Sequence, residues 1–259
     1  MFTKKEKNFL NTFELLKKKR ISNLLYNKNL SSIANKFLKI SSKIKYEYNF
    51  TWCDIPIIQF PQDIIAIQEI IWEKKPDLII ETGIAHGGSL IFSASMLGLL
   101  DLNSNKKIKR RVIGIDVDFR SHNFKRFKKN KLSKYCKIFN GSSIDDKVFK
   151  NVKKYSDKFK NILVILDSNH TEEHVLRELN LYSNLVSKNN YCIVCDTGLE
   201  IWGSKKKDKD YSNINNPYKA VSKFLKNNKN FFIDTLISNK LKITSNYNGY
   251  LKKIDDKKK

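Results

Sequence analysis

Arginine, acidic residues, cysteine and long apolar runs are all in short supply in this 259-residue chain. Of fifty cationic side chains only six are arginine (Arg20, Arg110, Arg111, Arg120, Arg126 and Arg177), against 26 Asp and Glu, and the formal net charge is +24 at pH 7. Bidentate recognition of phosphates and base edges favours the arginine fork, so a lysine-dominated surplus argues against a specific nucleic-acid partner. Lys, Asn and Ile are abundant together, as in a surface drifting under an AT-rich genome; attraction to a polyanion or a membrane surface is the other reading. The four scattered cysteines, Cys53, Cys136, Cys192 and Cys195, are read as neither a zinc site nor a redox dithiol, which fits a reducing compartment. No apolar stretch approaches the ~20 residues needed to span a bilayer. Met1 to Lys7 is charged and is not followed by an apolar region, so no signal peptide is expected and the protein is expected in the cytoplasm.

What remains is a chain that is 41% hydrophobic, long enough to bury a core. Three regions are expected: a basic helical N-terminal extension over 1–48, a main domain over 49–253, and a polar Lys-rich tail over 254–259. In the extension Phe9, Phe13, Leu16, Leu24 and Leu25 recur at helix-like intervals, predicting one or two amphipathic helices. Their basic face is read as solvated, with a homo-oligomeric interface or peripheral contact with an anionic membrane as the alternatives.

The main domain alternates short β-rich segments with helical ones, the pattern of a doubly wound α/β fold whose mostly parallel sheet is covered on both faces. Strands are expected at Asp77–Glu81, Arg111–Asp116, Tyr135–Phe139, Asn161–Asp167, Asn190–Asp196, Phe231–Leu236 and Lys240–Thr244. Helices are expected at Gly88–Leu100, Thr171–Ser187 and Pro217–Lys226, and a polar loop at Gly203–Asn216. In Thr171–Ser187 the residues Val175, Leu176, Leu179, Tyr182 and Val186 form one stripe.

Ligands of open α/β sheets bind beyond the carboxyl ends of the strands, so the polar residues there are the candidates. After the first strand comes Glu81-Thr82-Gly83-Ile84-Ala85-His86-Gly87-Gly88-Ser89: an acid, glycines that let the backbone turn and approach a ligand, and a helix start whose free N–H groups favour negative charge. A purely structural strand-to-helix turn would look similar. Asp116, one βα unit later, is placed either to accept hydrogen bonds from ribose hydroxyls or to cap the following turn. Gly141-Ser142-Ser143 would hold the edge of an adenine or end in a helix cap. Asp167 and Asp196 fall at the tips of adjacent strands, near enough to share a divalent cation through hard oxygen ligands. His170, three residues after Asp167, is either a general base or the start of a helix. His122 and His174 read as structural residues on helix faces, and His86 as packing against a bound cofactor.

Taken together, Pro56-Ile57-Ile58-Gln59-Phe60-Pro61-Gln62-Asp63, the glycine loop, Leu166-Asp167-Ser168-Asn169-His170 with His174-Val175, Asn216-Pro217 and Asn248-Gly249-Tyr250-Leu251 resemble the cephalosporin hydroxylase family over roughly residues 48–254. Despite its name, that family is similar to class I S-adenosylmethionine-dependent methyltransferases and includes sugar O-methyltransferases of glycolipid and polysaccharide pathways. The resemblance implies a seven-stranded Rossmann-like sheet, S-adenosylmethionine as cofactor, and Mg2+. It implies that Glu81, Gly83, His86, Gly87, Gly88 and Ser89 surround the methionine part of the cofactor, with Asp116 on its ribose and Ser142 at its adenine. Asp167 and Asp196 would hold the metal, while Asp167 and His170 would serve catalysis on a sugar or other small-molecule hydroxyl. The antibiotic enzyme of the family has a glutamate where Cys195 stands here, leaving two acids rather than three.

The rivals are weaker. An RNA or DNA methyltransferase acting on base amines commonly shows an Asn/Asp-Pro-Pro-aromatic motif after its fourth strand, where this chain reads Asp167-Ser168-Asn169-His170; Asn216-Pro217-Tyr218 is a partial match elsewhere. A nicotinamide enzyme would need a different glycine spacing. An oxygenase would need a His-x-Asp/Glu facial triad, a pattern not found at a suitable spacing. The loss at Cys195 leaves a catalytically inactive S-adenosylmethionine-binding module as the remaining alternative.

Overall fold

Thr3 starts the first helix by a capping box: its hydroxyl accepts from the Glu6 N–H at 3.3 Å, and the Glu6 carboxylate accepts from the Thr3 N–H at 2.6 Å. That helix, α1 (Lys4–Tyr26), ends at Asn27, whose side chain caps α2 (Lys28–Ser41) through the Leu30 N–H. The extension is therefore two helices, but α1 has no buried residue. A short hairpin follows, β1 (Phe50–Trp52) against β2 (Ile55–Ile57). Pro61, in the first helical position where its missing N–H is no loss, opens α3 (Pro61–Lys74).

Then the βα alternation sets in: β3 (Leu78–Thr82), α4 (Gly88–Leu102), β4 (Arg111–Asp116), α5 (Ser121–Lys129), β5 (Cys136–Asn140), α6 (Asp146–Ser156), β6 (Ile162–Leu166), α7 (Glu172–Tyr182) and β7 (Tyr191–Val194). The strands are rich in Ile, Leu and Val with both faces buried in β3, β6 and β7, as a covered parallel sheet requires. After β7 come α8 (Leu199–Trp202), a minimal hairpin of β8 (Lys205–Lys206) and β9 (Lys209–Asp210), α9 (Pro217–Asn227), β10 (Phe231–Ile233), α10 (Thr235–Leu241) and β11 (Tyr250–Lys253). The computed structural model describes residues 2–202, 205–206, 209–210 and 215–254, with backbone alone for 205–206 and 209–210. Most of the Gly203–Asn216 loop, and all of the tail but Ile254, lie outside the described residues.

The main sheet has seven strands in the order β10-β11-β7-β6-β3-β4-β5, all in one direction except β11, which runs antiparallel to both neighbours. Two apolar layers cover it. One face packs Ile79, Val112, Leu163 and Ile193 against α3, α4 and Phe127 of α5; the other packs Ile80, Ile113, Val164 and Val194 against Val152, the Val175–Leu179–Tyr182 stripe of α7 and Val221 of α9. Cys192 and Cys195 have the C-x2-C spacing that zinc sites use, yet a strand's period of two sends Cys192 into the second layer and Cys195 into the first. Both thiols are buried and all four cysteines are free.

One expected strand is absent: Lys240–Thr244 is the end of α10 and a turn, and β11 takes the seventh place in the sheet. The reason is a buried acid. Asp63, 0% exposed on α3, accepts from the Thr244 hydroxyl, the Ser245 N–H at 2.8 Å, the Ser245 hydroxyl at 3.1 Å and the Tyr250 hydroxyl at 2.9 Å. This network pins 244–245 as a loop and delivers the chain to β11 at Tyr250. Phe231–Leu236 is likewise shorter than expected, because helix α10 begins at Thr235. Among the described residues no helix is long and apolar enough to cross a membrane.

Replacing Asp63 by Ala takes the acceptor from the buried Thr244 and Tyr250 hydroxyls and the Ser245 N–H, while the Ser245 hydroxyl keeps Asn246, and should lower stability by about 3 kcal/mol or more; Tyr250→Phe, which removes one donor and one bond together, should cost only about 1 kcal/mol. Chemical denaturation of the two variants reads the difference.

Candidate functional site

The chain reverses its direction of strand addition between β3 and β6, and the carboxyl ends of these two strands form the crevice in which such sheets bind ligands. The two loops that leave it are in close contact. The Asp167 N–H donates to the Thr82 carbonyl at 3.0 Å, and a Cβ on Gly83 would lie 1.9 Å from the Asp167 carbonyl oxygen. Gly83 also has φ +82°, so no other residue suits this turn. Gly87, at φ +91°, precedes the first turn of α4, and no side chain caps that turn's N–H groups.

Glu81, next to last in β3, is 1% exposed. One carboxylate oxygen, Oε1, accepts from the Ser89 hydroxyl; the other, Oε2, is buried without a hydrogen-bond partner. Burial pushes the Glu81 carboxyl up to about 7, against the opposing Ser89 bond. A buried acid held this way calls for a cationic or donating partner. Asp116 braces the loop from the next strand, its Oδ2 accepting from the Ile84 N–H at 2.7 Å and its Oδ1 from the Asp118 N–H at 2.9 Å, so it does cap a turn while keeping its carboxylate at the rim of the crevice. His86 pairs with Asn123 through Nδ1 at 3.2 Å, and Asn123 in turn donates to the Ala85 carbonyl, which fixes the outer part of the loop. Ser142 is half-buried after β5, beside the fully enclosed Ser143.

On the other side of the crevice Asp167, His170 and Asp196 converge, each offering one ligating atom, all within 4.8 Å of one another. His170 Nε2 lies 3.2 Å from Asp196 Oδ2. Asp196 adopts a left-handed conformation (φ +54°) and its N–H donates to Asn246 Oδ1 at 3.1 Å, so a constrained backbone aims this carboxylate. Burial raises the Asp167 carboxyl, the Asp196 carboxylate raises it further, and His170 opposes both. The two carboxylates offer the hard oxygen ligands a divalent cation prefers, and the His170 imidazole stands beside them. Cys195 adds nothing to it: its thiol is 4% exposed in the core and burial holds it well above its usual range, so it supplies no anionic ligand.

Several residues here carry no local signal in the sequence. Gln59, 7% exposed, hydrogen-bonds the Asp167 carboxylate and keeps its Oε1 buried without a partner. His174, expected on a plain helix face, instead ties two strand ends together: its Nε2 is 3.1 Å from both Ser143 Oγ and Ser168 Oγ, and Ser168 donates to the fully buried Glu178 at 2.7 Å. Tyr182 closes the network on the Ser143 carbonyl at 2.7 Å. Asn216 in the Asn216-Pro217-Tyr218 stretch is a helix cap, accepting from the Lys219 N–H and donating to Glu200.

The strand order, the glycine loop and the acidic strand ends define the class I methyltransferase fold. Within it, residues 44–254 match the model of the Rhamnosyl O-methyltransferase/CmcI family, and the chain belongs to that family. Curated relatives include the rhamnosyl O-methyltransferase of Mycobacterium leprae, 25% identical over 150 residues that make up 58% of this chain and 61% of the relative. Another is the rhamnosyl O-methyltransferase of Mycobacterium tuberculosis, 29% identical over 139 residues, 53% of this chain and 52% of the relative. The chain thus spans about half to three-fifths of the length of these relatives. Among solved structures, CmcI with Mg and SAM superposes with a TM-score of 0.58 at 17% identity, covering 80% of this chain and 78% of that one. Apo CmcI gives 0.57 at 17% identity, covering 80% and 77%. At that identity the likeness concerns the fold.

The raised Glu81 carboxyl has a sign. Its folded value of about 7 exceeds the ordinary 4.5, so the folded state holds this proton more tightly than the unfolded chain and loses stability as pH climbs between those values. The thermal midpoint of the free protein should therefore fall from about pH 5 to about pH 8, and Glu81→Gln should flatten that decline. A variant profile parallel to the parent's would remove Glu81 as the cause.

Proposed function

We propose that the protein transfers a methyl group from S-adenosylmethionine to a hydroxyl of a saccharide. The observation that carries this reading is the buried, partnerless Glu81 Oε2 beside the Gly83–Gly88 loop. An ammonium such as that of the cofactor's methionine part would satisfy the orphaned oxygen and let Glu81 ionise. Asp116 would hold the ribose, Ser142 the adenine edge, and the first turn of α4 the methionine carboxylate. Family membership supports the choice of cofactor, and the names of the rhamnosyl O-methyltransferase relatives support a sugar acceptor.

The cofactor supplies a methyl group on a positively charged sulfur, ready for displacement. The two sides of the crevice would hold the acceptor oxygen facing that methyl group. His170 takes the hydroxyl proton, and the Asp196 carboxylate 3.2 Å from its Nε2 stabilises the imidazolium that forms. Asp167 and Asp196 would hold a divalent cation, which lowers the pKa of a bound hydroxyl. Gln59 orients Asp167, and much of the rate comes from holding oxygen and methyl in line. Residues 49–253 would form this catalytic unit and 1–48 an extension to it. The four free cysteines support a reducing, cytoplasmic setting.

Calorimetric titration with S-adenosylhomocysteine tests the reading, with Asp116→Ala and Glu81→Gln as variants and NAD as control. Micromolar binding that falls at least about tenfold in each variant is expected, a loss of about 1.4 kcal/mol or more. Around pH 7 the parent should release protons on binding, seen as a heat that depends on the buffer, whereas Glu81→Gln should release fewer. Absence of S-adenosylhomocysteine binding overturns the proposal. For the cation, Mn2+ or Mg2+ should raise the thermal midpoint of the parent but not of Asp167→Ala.

A further inference from the structure

The first helix carries a surface that methyl transfer does not use. Phe9, Phe13 and Leu16 recur four and three residues apart, so they share one face, and they are 71%, 49% and 45% exposed. Leu10 beside them is 44% exposed, and Phe2, just ahead of the helix, 64%. Nothing in α1 is buried; its half-buried residues, Lys17, Ile21 and Leu24, all lie in its second half, and α10 is the element it packs against. A run of exposed aromatic and aliphatic side chains on a single helix is unlike the scattered apolar residues of an ordinary surface.

The charge around this face identifies what covers it. Residues 1–45 contain twelve Lys or Arg and two Glu, and Lys5, Lys7, Lys17, Lys19 and Arg20 lie on α1 itself. Two copies meeting face to face would bring these cations together. An anionic bilayer attracts them while accepting the exposed aromatic rings at the boundary between headgroups and acyl chains. We propose that α1 is a docking surface for an anionic phospholipid bilayer, with Phe9, Phe13 and Leu16 inserted at that boundary.

The docking helix is joined to the acceptor end of the crevice. Helix α2, one residue beyond α1, packs on α8, and α8 begins three residues after Asp196. Resting on the methyl-transfer reading, this makes the acceptor a lipid-linked saccharide presented at the membrane surface.

Flotation with vesicles tests the docking directly. Purified protein is mixed with vesicles of phosphatidylcholine alone or with about one-third phosphatidylglycerol, at about 0.1 M and about 0.5 M salt. The parent should bind the anionic vesicles at least about tenfold more tightly than the neutral ones and lose much of that affinity at high salt. The variant Phe9→Ser/Phe13→Ser/Leu16→Ser keeps every charge and should bind anionic vesicles at least about tenfold more weakly. Because these side chains are exposed, its thermal midpoint and its affinity for S-adenosylhomocysteine should match the parent's. Equal binding by the variant would reduce the effect to diffuse surface charge and overturn the proposal. So would failure of the parent to bind anionic vesicles, or a dimer seen by light scattering that the variant lacks in a protein that binds no vesicles. Loss of S-adenosylhomocysteine binding with vesicle binding intact would strike the catalytic reading and leave the docking helix standing.

Discussion

The buried carboxylate of Asp63 is the point on which the Asp167–Asp196 side of the crevice depends. It sits near the start of α3, far in sequence from the segment it organises, and draws Thr244, Ser245 and Tyr250 around itself. Through Ser245 the network reaches Asn246, whose side chain accepts from the Ser245 hydroxyl at 2.9 Å and from the Asp196 N–H at 3.1 Å. The Ser245 carbonyl also accepts from the Gly198 N–H at 2.8 Å, just after Asp196. Asp196 is thus held in its left-handed conformation from outside its own loop. Asp63 itself is raised to about 6 by burial, which outweighs four hydrogen bonds pulling the other way. Such an arrangement is kept for geometry, because a buried acid is a poor source of stability.

A second constraint shapes the glycine-loop side. The loops after β3 and β6 approach so closely that only glycine fits at position 83, and this contact fixes the distance between Glu81 and Asp167 across the crevice. The Asp116 bonds to the Ile84 and Asp118 N–H groups and the Asn123 bond to the Ala85 carbonyl set the loop before any ligand arrives. A loop organised in advance spends less binding free energy on ordering. The network of His174, Ser143, Ser168 and Glu178 does the same between β5 and β6, linking the expected adenine edge to the residue next to Asp167.

What could be read from the sequence follows from range. Most of the parallel strands are legible because they are short Ile-, Leu- and Val-rich runs, with β5 (Cys136–Asn140) the exception, and the strand-end acids because they follow such runs. The expectation of a strand at Lys240–Thr244 fails because its hydrogen bonds go to Asp63, some 180 residues away, and nothing local announces that. Gln59, Asn246 and Glu178 were invisible for the same reason: ordinary polar residues locally, they acquire their roles from partners brought in by the fold. The C-x2-C pair shows the converse, a local motif that strand geometry cancels by placing the two thiols in opposite layers.

The net charge of +24 and the chemistry of the crevice turn out to be separate matters. A surface this positive should favour ionised acids, yet Asp63, Glu81 and Asp167 are all raised, with burial the largest cause in each and no lysine among the causes. The lysines are solvated, and beyond about 8–10 Å their field is screened at physiological salt. Inside the crevice burial acts first, opposed by hydrogen bonds at Glu81 and, at Asp167, joined by the Asp196 carboxylate and opposed by His170. Where cations surround exposed aromatic rings, as on α1, surface charge and apolar contact would act together, which is the basis of the docking proposed above. The lysine surplus therefore says little about the crevice, where Glu81 keeps one carboxylate oxygen buried without a partner whatever the charge outside.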